Sequence, residues 1–100
     1  MANSDVMRIL VIYYDDSDMK VLNYVRDFAK DILIYTPDEN RPIPGYNNFH
    51  GDLLEILEKL KGNVDVIAFK KRNNYPTGSF FIGDLIDRLK SMGFKVLVIS

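Results

Sequence analysis

The chain has 100 residues, of which 47% are hydrophobic and 27% charged, with a net charge of −1 and no cysteine. These values are typical of one globular domain, and they exclude disordered, collagen-like, coiled-coil and disulfide-stapled classes. A net charge near zero argues against nucleic acid as a partner, and no apolar stretch reaches the ~20 residues that span a membrane. We therefore expect a cytoplasmic protein with one α/β domain over residues 1–100 and a flexible N-terminus over residues 1–6.

The first predicted strand organises the rest of the chain. Residues 8–14 read Arg-Ile-Leu-Val-Ile-Tyr-Tyr, a β-branched and aromatic run without alternation, which is typical of a strand covered on both faces. Asp16 or Ser17 can then cap a helix that runs to about Lys30. Its apolar residues recur at three- and four-residue spacing, which predicts that they are buried: Val21, Leu22, Val25, Phe28 and Ala29. A second short strand over residues 32–35 ends before Pro37, because proline cannot donate to the hydrogen-bond ladder of a sheet.

A long connection follows the second strand. Residues 37–50 contain three prolines and Gly45 among polar residues, and connections of this length are usually functional or disordered. We expect Ile43, Tyr46 and Phe49 to tether this loop over the sheet or over the second helix.

Strand and helix patterns continue to alternate in the second half. A helix over about residues 53–60 ends at Gly62, a strand follows over residues 64–69, and a third helix ends at Gly93 before a last strand over residues 95–99. This alternation predicts a three-layer α/β/α sandwich with a four-stranded parallel sheet of order 2-1-3-4, a flavodoxin-like or Rossmann-like topology. A ferredoxin-like sheet is the alternative, but it needs short hairpin turns that the sequence lacks.

Carboxylates follow the first strand, at the edge where open α/β sheets place their ligands. Asp15, Asp16 and Asp18 can hold Mg²⁺, because hard cations prefer carboxylate oxygens. The alternative is that these acidic residues cap the start of the first helix and complement its dipole.

Cations follow the third predicted strand at the same edge. The candidate residues are Lys70, Lys71, Arg72, Thr77, Gly78 and Ser79. At a helix start, backbone N–H groups and the helix dipole converge with mobile cations on an anion, which indicates a phosphorylated small molecule or nucleotide. The alternative is a solvated loop whose cations pair with the acids after the first strand. No Walker, GxGxxG or GxSxG spacing is present, so the sequence contains no catalytic motif that we can identify.

In the predicted order 2-1-3-4 the last strand lies at an edge of the sheet. Its apolar residues are Val96, Leu97, Val98 and Ile99, and Lys95 is its only charged residue. Natural monomers usually blunt such an edge, so we expect a homodimer in which this strand pairs antiparallel with itself about a two-fold axis. The alternatives are a dimer packed through another face, or a monomer whose edge is covered by residues 37–50.

The pattern resembles two families of flavodoxin-like signalling domain. Asp15 and Asp16 resemble the paired acids that bind Mg²⁺ in response-regulator receiver domains, and Ser100 resembles the Ser or Thr that ends their fourth strand. Lys70 stands where those domains carry the phospho-acceptor aspartate, so the likeness is to a degenerate receiver without phosphotransfer. Residues 13–18 with Pro44-Gly45 are similar to TIR and SEFIR domains.

TIR and SEFIR domains also place an acidic residue on the helix after the third strand, as Asp84 is placed here. Catalytic TIR domains use glutamate at that position, so the resemblance implies an assembly module more than an NADase. Two hypotheses follow. The favoured one is a small self-associating interaction or regulatory module, and the alternative is a phosphate- or nucleotide-binding domain with its site at the C-terminal ends of strands 1 and 3.

Overall fold

A computed structural model describes residues 7–71 and 82–100 of the protein. The strands are β1 (Arg8–Ile12), β2 (Asp31–Tyr35), β3 (Asn47–Phe49), β4 (Val66–Lys70) and β5 (Lys95–Ile99). The helices are α1 (Met19–Val25), which a 3-10 turn (Asp16–Asp18) precedes, α2 (Leu53–Leu60) and α3 (Ile82–Ser91). The expected flexible N-terminus over residues 1–6 lies outside the described residues.

All described strands belong to one parallel sheet of order β3-β2-β1-β4-β5. The α/β class and the parallel sheet are therefore confirmed. The predicted four-stranded order 2-1-3-4 is wrong, because the loop over residues 37–50 contributes a fifth strand, β3, beside β2. The four strands that the sequence predicted keep their relative order, and β3 extends the sheet beyond β2.

Helices cover both faces of the sheet because successive strand residues point to opposite sides. Leu10 and Ile12 of β1 pack with residues of α2 and α3, whereas Ile9 and Val11 pack with residues of α1. All four side chains are at most 1% exposed. The uninterrupted apolar run of β1 thus serves two separate clusters of the core.

The ends of α2 and α3 lie where the sequence indicates them, whereas α1 ends at Val25, before the predicted end near Lys30. The Asp52 side chain accepts a 3.3 Å hydrogen bond from the Glu55 backbone N–H, so it caps the start of α2. Gly62 follows α2 with a φ of 86° and Gly93 follows α3 with a φ of 93°. A left-handed backbone of this kind ends a helix at little cost only in glycine. No helix within residues 7–71 and 82–100 is long and apolar enough to cross a membrane.

The segment before β3 is tied to the sheet by one half-buried polar side chain, that of Asn48. The Asn48 amide nitrogen donates 2.9 Å hydrogen bonds to the backbone oxygens of Ile43 and Tyr46, and its Oδ1 accepts a 2.9 Å bond from the Ile43 N–H. Ile43 and Tyr46 are partly buried against the α1-side cluster, and Phe49 against the other cluster. The prediction that these three apolar residues tether the loop is confirmed.

Candidate functional site

A cavity of about 450 Å³ lies at the carboxyl end of the sheet. One wall is the segment that follows β1, and the other is the segment that follows β2. Its polar and aromatic lining includes Tyr13, Tyr14, Asp15, Asp16, Asp38 and Arg41. We call this space the rim cavity.

The first wall is built around a reciprocal cap. Asp15 Oδ1 accepts hydrogen bonds of 2.9 Å from the Ser17 backbone N–H and 2.5 Å from its hydroxyl. Asp18 is fully buried, and its Oδ2 accepts bonds of 2.7 Å from the Tyr14 N–H and 3.2 Å from the Asp15 N–H. This arrangement is a capping box, which fixes the turn directly after β1.

Two of the three acidic residues that could hold Mg²⁺ have a structural role in this fold. Asp15 and Asp18 use carboxylate oxygens to accept backbone N–H bonds, which is the capping alternative that the sequence offered. Within residues 7–71 and 82–100, no group of three or more His, Cys, Asp or Glu side chains has the arrangement of a metal site. Asp16 is exposed and lines the rim cavity.

The second wall is a turn that the Asp38 side chain stabilises. Asp38 Oδ1 accepts a 2.9 Å hydrogen bond from the Asn40 N–H, and the Arg41 N–H donates to the Asp38 backbone oxygen at 3.1 Å.

His50 Nδ1 lies 3.0 Å from the Thr36 backbone oxygen. Because a carbonyl only accepts, this nitrogen carries the proton.

Comparisons with known proteins add no family to this geometry. No protein-family model matches the chain, and no curated protein or solved structure matches it either. The function has to be argued from the residues of the rim cavity and from the edges of the sheet.

Two tyrosines of this region are almost fully buried. The Tyr13 side chain is 5% exposed, and its pKa is raised by burial and further by the negative charges of Asp16, Asp18 and Asp15. Tyr35 is fully buried, and its hydroxyl donates to the Gly51 backbone oxygen.

Burial raises the pKa of Tyr35 to about 12, with smaller contributions from Tyr14 and Asp52. The rings of Tyr14 and Tyr35 meet edge to face, with centroids 6.4 Å apart. The hydroxyl groups of Tyr13 and Tyr35 therefore stay protonated at neutral pH.

The predicted anion site is only partly within the described residues. Lys70 ends β4 and is partly buried, and Lys71 is exposed. The remaining candidates, Arg72, Thr77, Gly78 and Ser79, lie outside the described residues. The anion site stays a prediction.

Sequence reasoning missed the second wall of the rim cavity. Asp38 and Arg41 lie in a loop that the sequence marked only by its length and its prolines. The available signal was topological, because this loop follows β2, and β1 and β2 are parallel neighbours whose carboxyl ends meet at the same edge.

The outer edge of β5 is a second candidate site. The Lys95 N–H donates to the Asp65 oxygen at 3.0 Å, and the Ile99 oxygen accepts from the Lys71 N–H at 2.8 Å. Both groups of one residue in a parallel strand point to the same side, and the side alternates along the strand. The N–H and C=O groups of Val96 and Val98 therefore point away from β4, toward a side where no strand pairs among the described residues.

Proposed function

We propose that this protein is a small cytoplasmic interaction or regulatory module that forms a homodimer through the outer edge of β5. The observation that carries the proposal is the position of β5 at the end of the sheet, with two residues directing their backbone groups outward. Its four residues from Val96 to Ile99 are apolar and only partly buried. An edge of this composition is a template for pairing with another chain.

The geometry of β5 defines the register of the pair. An antiparallel pair exchanges hydrogen bonds between residues whose backbone groups face each other. Val96 therefore lies opposite Val98 of the second copy, and the two Leu97 residues lie opposite each other beside the two-fold axis. The pair has four hydrogen bonds, and it extends the sheet from five strands to ten.

An apolar surface beside this edge supports the same arrangement. Leu97 and Ile99 lie on the α1 side of the sheet and are partly buried. Lys20 Nζ donates to the Ser100 oxygen at 2.8 Å, so the flank of α1 that carries Lys20 faces β5. Tyr24 lies one turn further along this flank, and its ring contacts that of Phe28 with centroids 5.5 Å apart.

Tyr24 and Phe28 are 53% and 46% exposed, and because their rings touch they form one exposed apolar patch. A second copy at β5 brings its own Leu97 and Ile99 to the same side of the extended sheet. Burial of these apolar side chains stabilises the pair in addition to its four backbone hydrogen bonds. It also raises the buried area toward the ~1,000 Å² expected of a biological interface. The resemblance to TIR and SEFIR assembly modules points in the same direction.

A cysteine placed at the axis tests the register. The chain has no cysteine of its own, so Leu97→Cys introduces its sole thiol. Cα atoms in a non-hydrogen-bonded antiparallel pair are about 4.5 Å apart, which a disulfide can span. Mild oxidation should therefore give a covalent dimer.

Lys95→Cys is the matched control, because residue 95 lies opposite residue 99 of the second copy, and the two residue-95 Cα atoms are about 14 Å apart. Equal cross-linking of both variants would contradict this register. Sedimentation of the unmodified protein should show a dimer at tens of micromolar, and Val98→Lys should shift it to monomer. A matched change at the other edge, Asn47→Lys, should leave the dimer intact.

The second candidate function is binding of a phosphate or nucleotide at the ends of β1 and β4. Lys70 and Lys71 favour it, because they place cations at the carboxyl end of a strand that neighbours β1. Inorganic phosphate or AMP should then raise the melting temperature, and Lys71→Ala with Arg72→Ala should abolish the increase. An unchanged response in this double variant would reject the site.

A further inference from the structure

The rim cavity combines negative charge with aromatic walls. Three carboxylates, those of Asp15, Asp16 and Asp38, line it against one guanidinium, that of Arg41. Its volume of about 450 Å³ is within the range of small-molecule sites. We propose that the rim cavity binds a small organic cation, a compound that carries a primary ammonium or guanidinium group.

The excess of carboxylates decides the sign of the ligand charge. Within residues 7–71 and 82–100, neither Asp16 nor Asp38 forms an ion pair, and Arg41 forms none with either of them. Their charges therefore act together on whatever enters the cavity, and a cation is attracted where a phosphate is repelled. This separates the rim cavity from the predicted anion site after β4.

An unpaired hydroxyl on the cavity wall is an independent indication of a ligand. The Tyr13 side chain lines the cavity and is 5% exposed. Its hydroxyl makes no hydrogen bond within the part of the chain that the structure describes, and its oxygen keeps some surface open to solvent, so it can accept a bond from a donor that enters the cavity. An ammonium or guanidinium N–H can donate to this oxygen.

The negative surroundings of that hydroxyl favour a cationic donor over a neutral one. Asp16, Asp18 and Asp15 all raise the pKa of Tyr13, in addition to the effect of burial. The Tyr14 ring also lines the cavity and is held edge to face against Tyr35. Such a ring attracts cations to its face and packs against an alkyl chain.

Two alkyl cations and a neutral analogue give a sharp test by isothermal titration calorimetry. Agmatine and putrescine should bind with a measurable dissociation constant at low ionic strength, and the affinity should fall when salt is added. The probe 1,4-butanediol has the length of putrescine without its charges, and it should not bind. Equal affinity for butanediol, tighter binding of inorganic phosphate at the same cavity, or no binding of either amine at 10 mM would overturn the proposal.

Isosteric variants locate the binding in the rim cavity. Asp16→Asn with Asp38→Asn should weaken agmatine binding at least about tenfold, because hydrogen bonds to charged groups are the strong ones. Asparagine keeps an oxygen for the Asn40 N–H, so the turn after β2 is retained. Asp27→Asn is the matched control, since this exposed residue lies beyond the other end of α1.

Tyr13→Phe keeps the ring and removes only the hydroxyl. It should weaken agmatine binding several-fold while the melting temperature of the free protein is kept or raised. An equal loss of affinity in Asp27→Asn and in the double variant would show a general charge effect and reject the site. A Tyr13→Phe variant that binds as tightly as the parent would contradict the role of the hydroxyl.

Discussion

The hydrogen bonds of Asn48 make a specific prediction about what holds the fifth strand. This half-buried side chain makes three bonds of 2.9 Å to the backbone of Ile43 and Tyr46. Asn48→Ala removes all three and leaves those backbone groups without their partner. The loop that forms one wall of the rim cavity should then loosen together with β3.

The magnitude follows from the number of bonds. A typical intramolecular hydrogen bond contributes about 1 kcal/mol net, so three partly buried bonds correspond to about 2 to 3 kcal/mol. A domain of this size has a free energy of unfolding of only about 5 to 15 kcal/mol. Since 1 kcal/mol shifts the melting temperature of such a domain by roughly 4 to 8 °C, Asn48→Ala should lower it by about 10 to 20 °C.

Urea unfolding followed by circular dichroism measures this loss, and the neighbouring asparagine provides the control. Asn47 lies in the same strand, is exposed, and makes no side-chain hydrogen bond within the described residues. Asn47→Ala should therefore change the free energy of unfolding by less than about 0.5 kcal/mol. Equal losses in the two variants would refute the reasoning, because the effect would then come from strand propensity and not from the side-chain bonds of Asn48.

Three further predictions concern other parts of the fold. The pKa of Tyr35 lies at about 12 in the folded protein against an ordinary value of 10.0. The protonated hydroxyl therefore contributes fully to the free energy of unfolding below pH 10, and this contribution is lost as the pH rises to 12. Over that range the parent should lose about 2 to 3 kcal/mol of stability relative to Tyr35→Phe, measured by urea unfolding at each pH. Gly62→Ala should cost about 1 to 2 kcal/mol in the same assay, because Gly62 has a φ of 86°; no loss would show that the turn relaxes. Limited proteolysis should first cut near residues 38–41, which are exposed, and first cleavage at Tyr46 or Phe49 would contradict their role as tethers.

The parts of the fold that sequence reasoning obtained are those that local chemistry determines. β1 and β4 are continuous apolar runs that a sheet covered on both faces requires, and their residues are nearly all buried. Gly62 and Gly93 end helices because glycine alone adopts their positive φ without strain. In each case the residue itself carries the reason for the structure.

β3 could not be predicted because it forms through pairing with another strand, β2, and not through a pattern in its own residues. Asn47-Asn48-Phe49 is too short for a periodic pattern, and asparagine is depleted in strands. The segment is extended because β2 offers it an open parallel edge, in register with residues 33–35. Phe28 is a second example, since its spacing predicts burial on α1, yet the helix ends at Val25 and the side chain is 46% exposed.

The residues of the rim cavity also fall into those that the sequence could predict and those that it could not. Asp15 and Asp18 could be placed at the rim by the sequence, because both follow directly on the first strand. Their capping role was one of two alternatives, and the caps named from the sequence, Asp16 and Ser17, are not the residues that accept the backbone bonds. The sequence could not show that Asp38 and Arg41 face them across a cavity, since this depends on the path of a loop. That path is set by side-chain bonds such as those of Asn48, which have no signature in the sequence.

The two edges of the sheet differ in a way that bears on where a second copy can pair. β3 has three residues, two of them asparagines, and a short polar strand is one of the ordinary means by which proteins blunt an edge. β5 has five residues, and apart from the charge of Lys95 at its start none of these means is present within its span. If the protein paired through either edge without preference, Asn47→Lys and Val98→Lys would weaken the dimer equally. The asymmetry of the edges instead predicts that Val98→Lys alone disrupts it, because only β5 offers outward backbone groups beside an apolar surface.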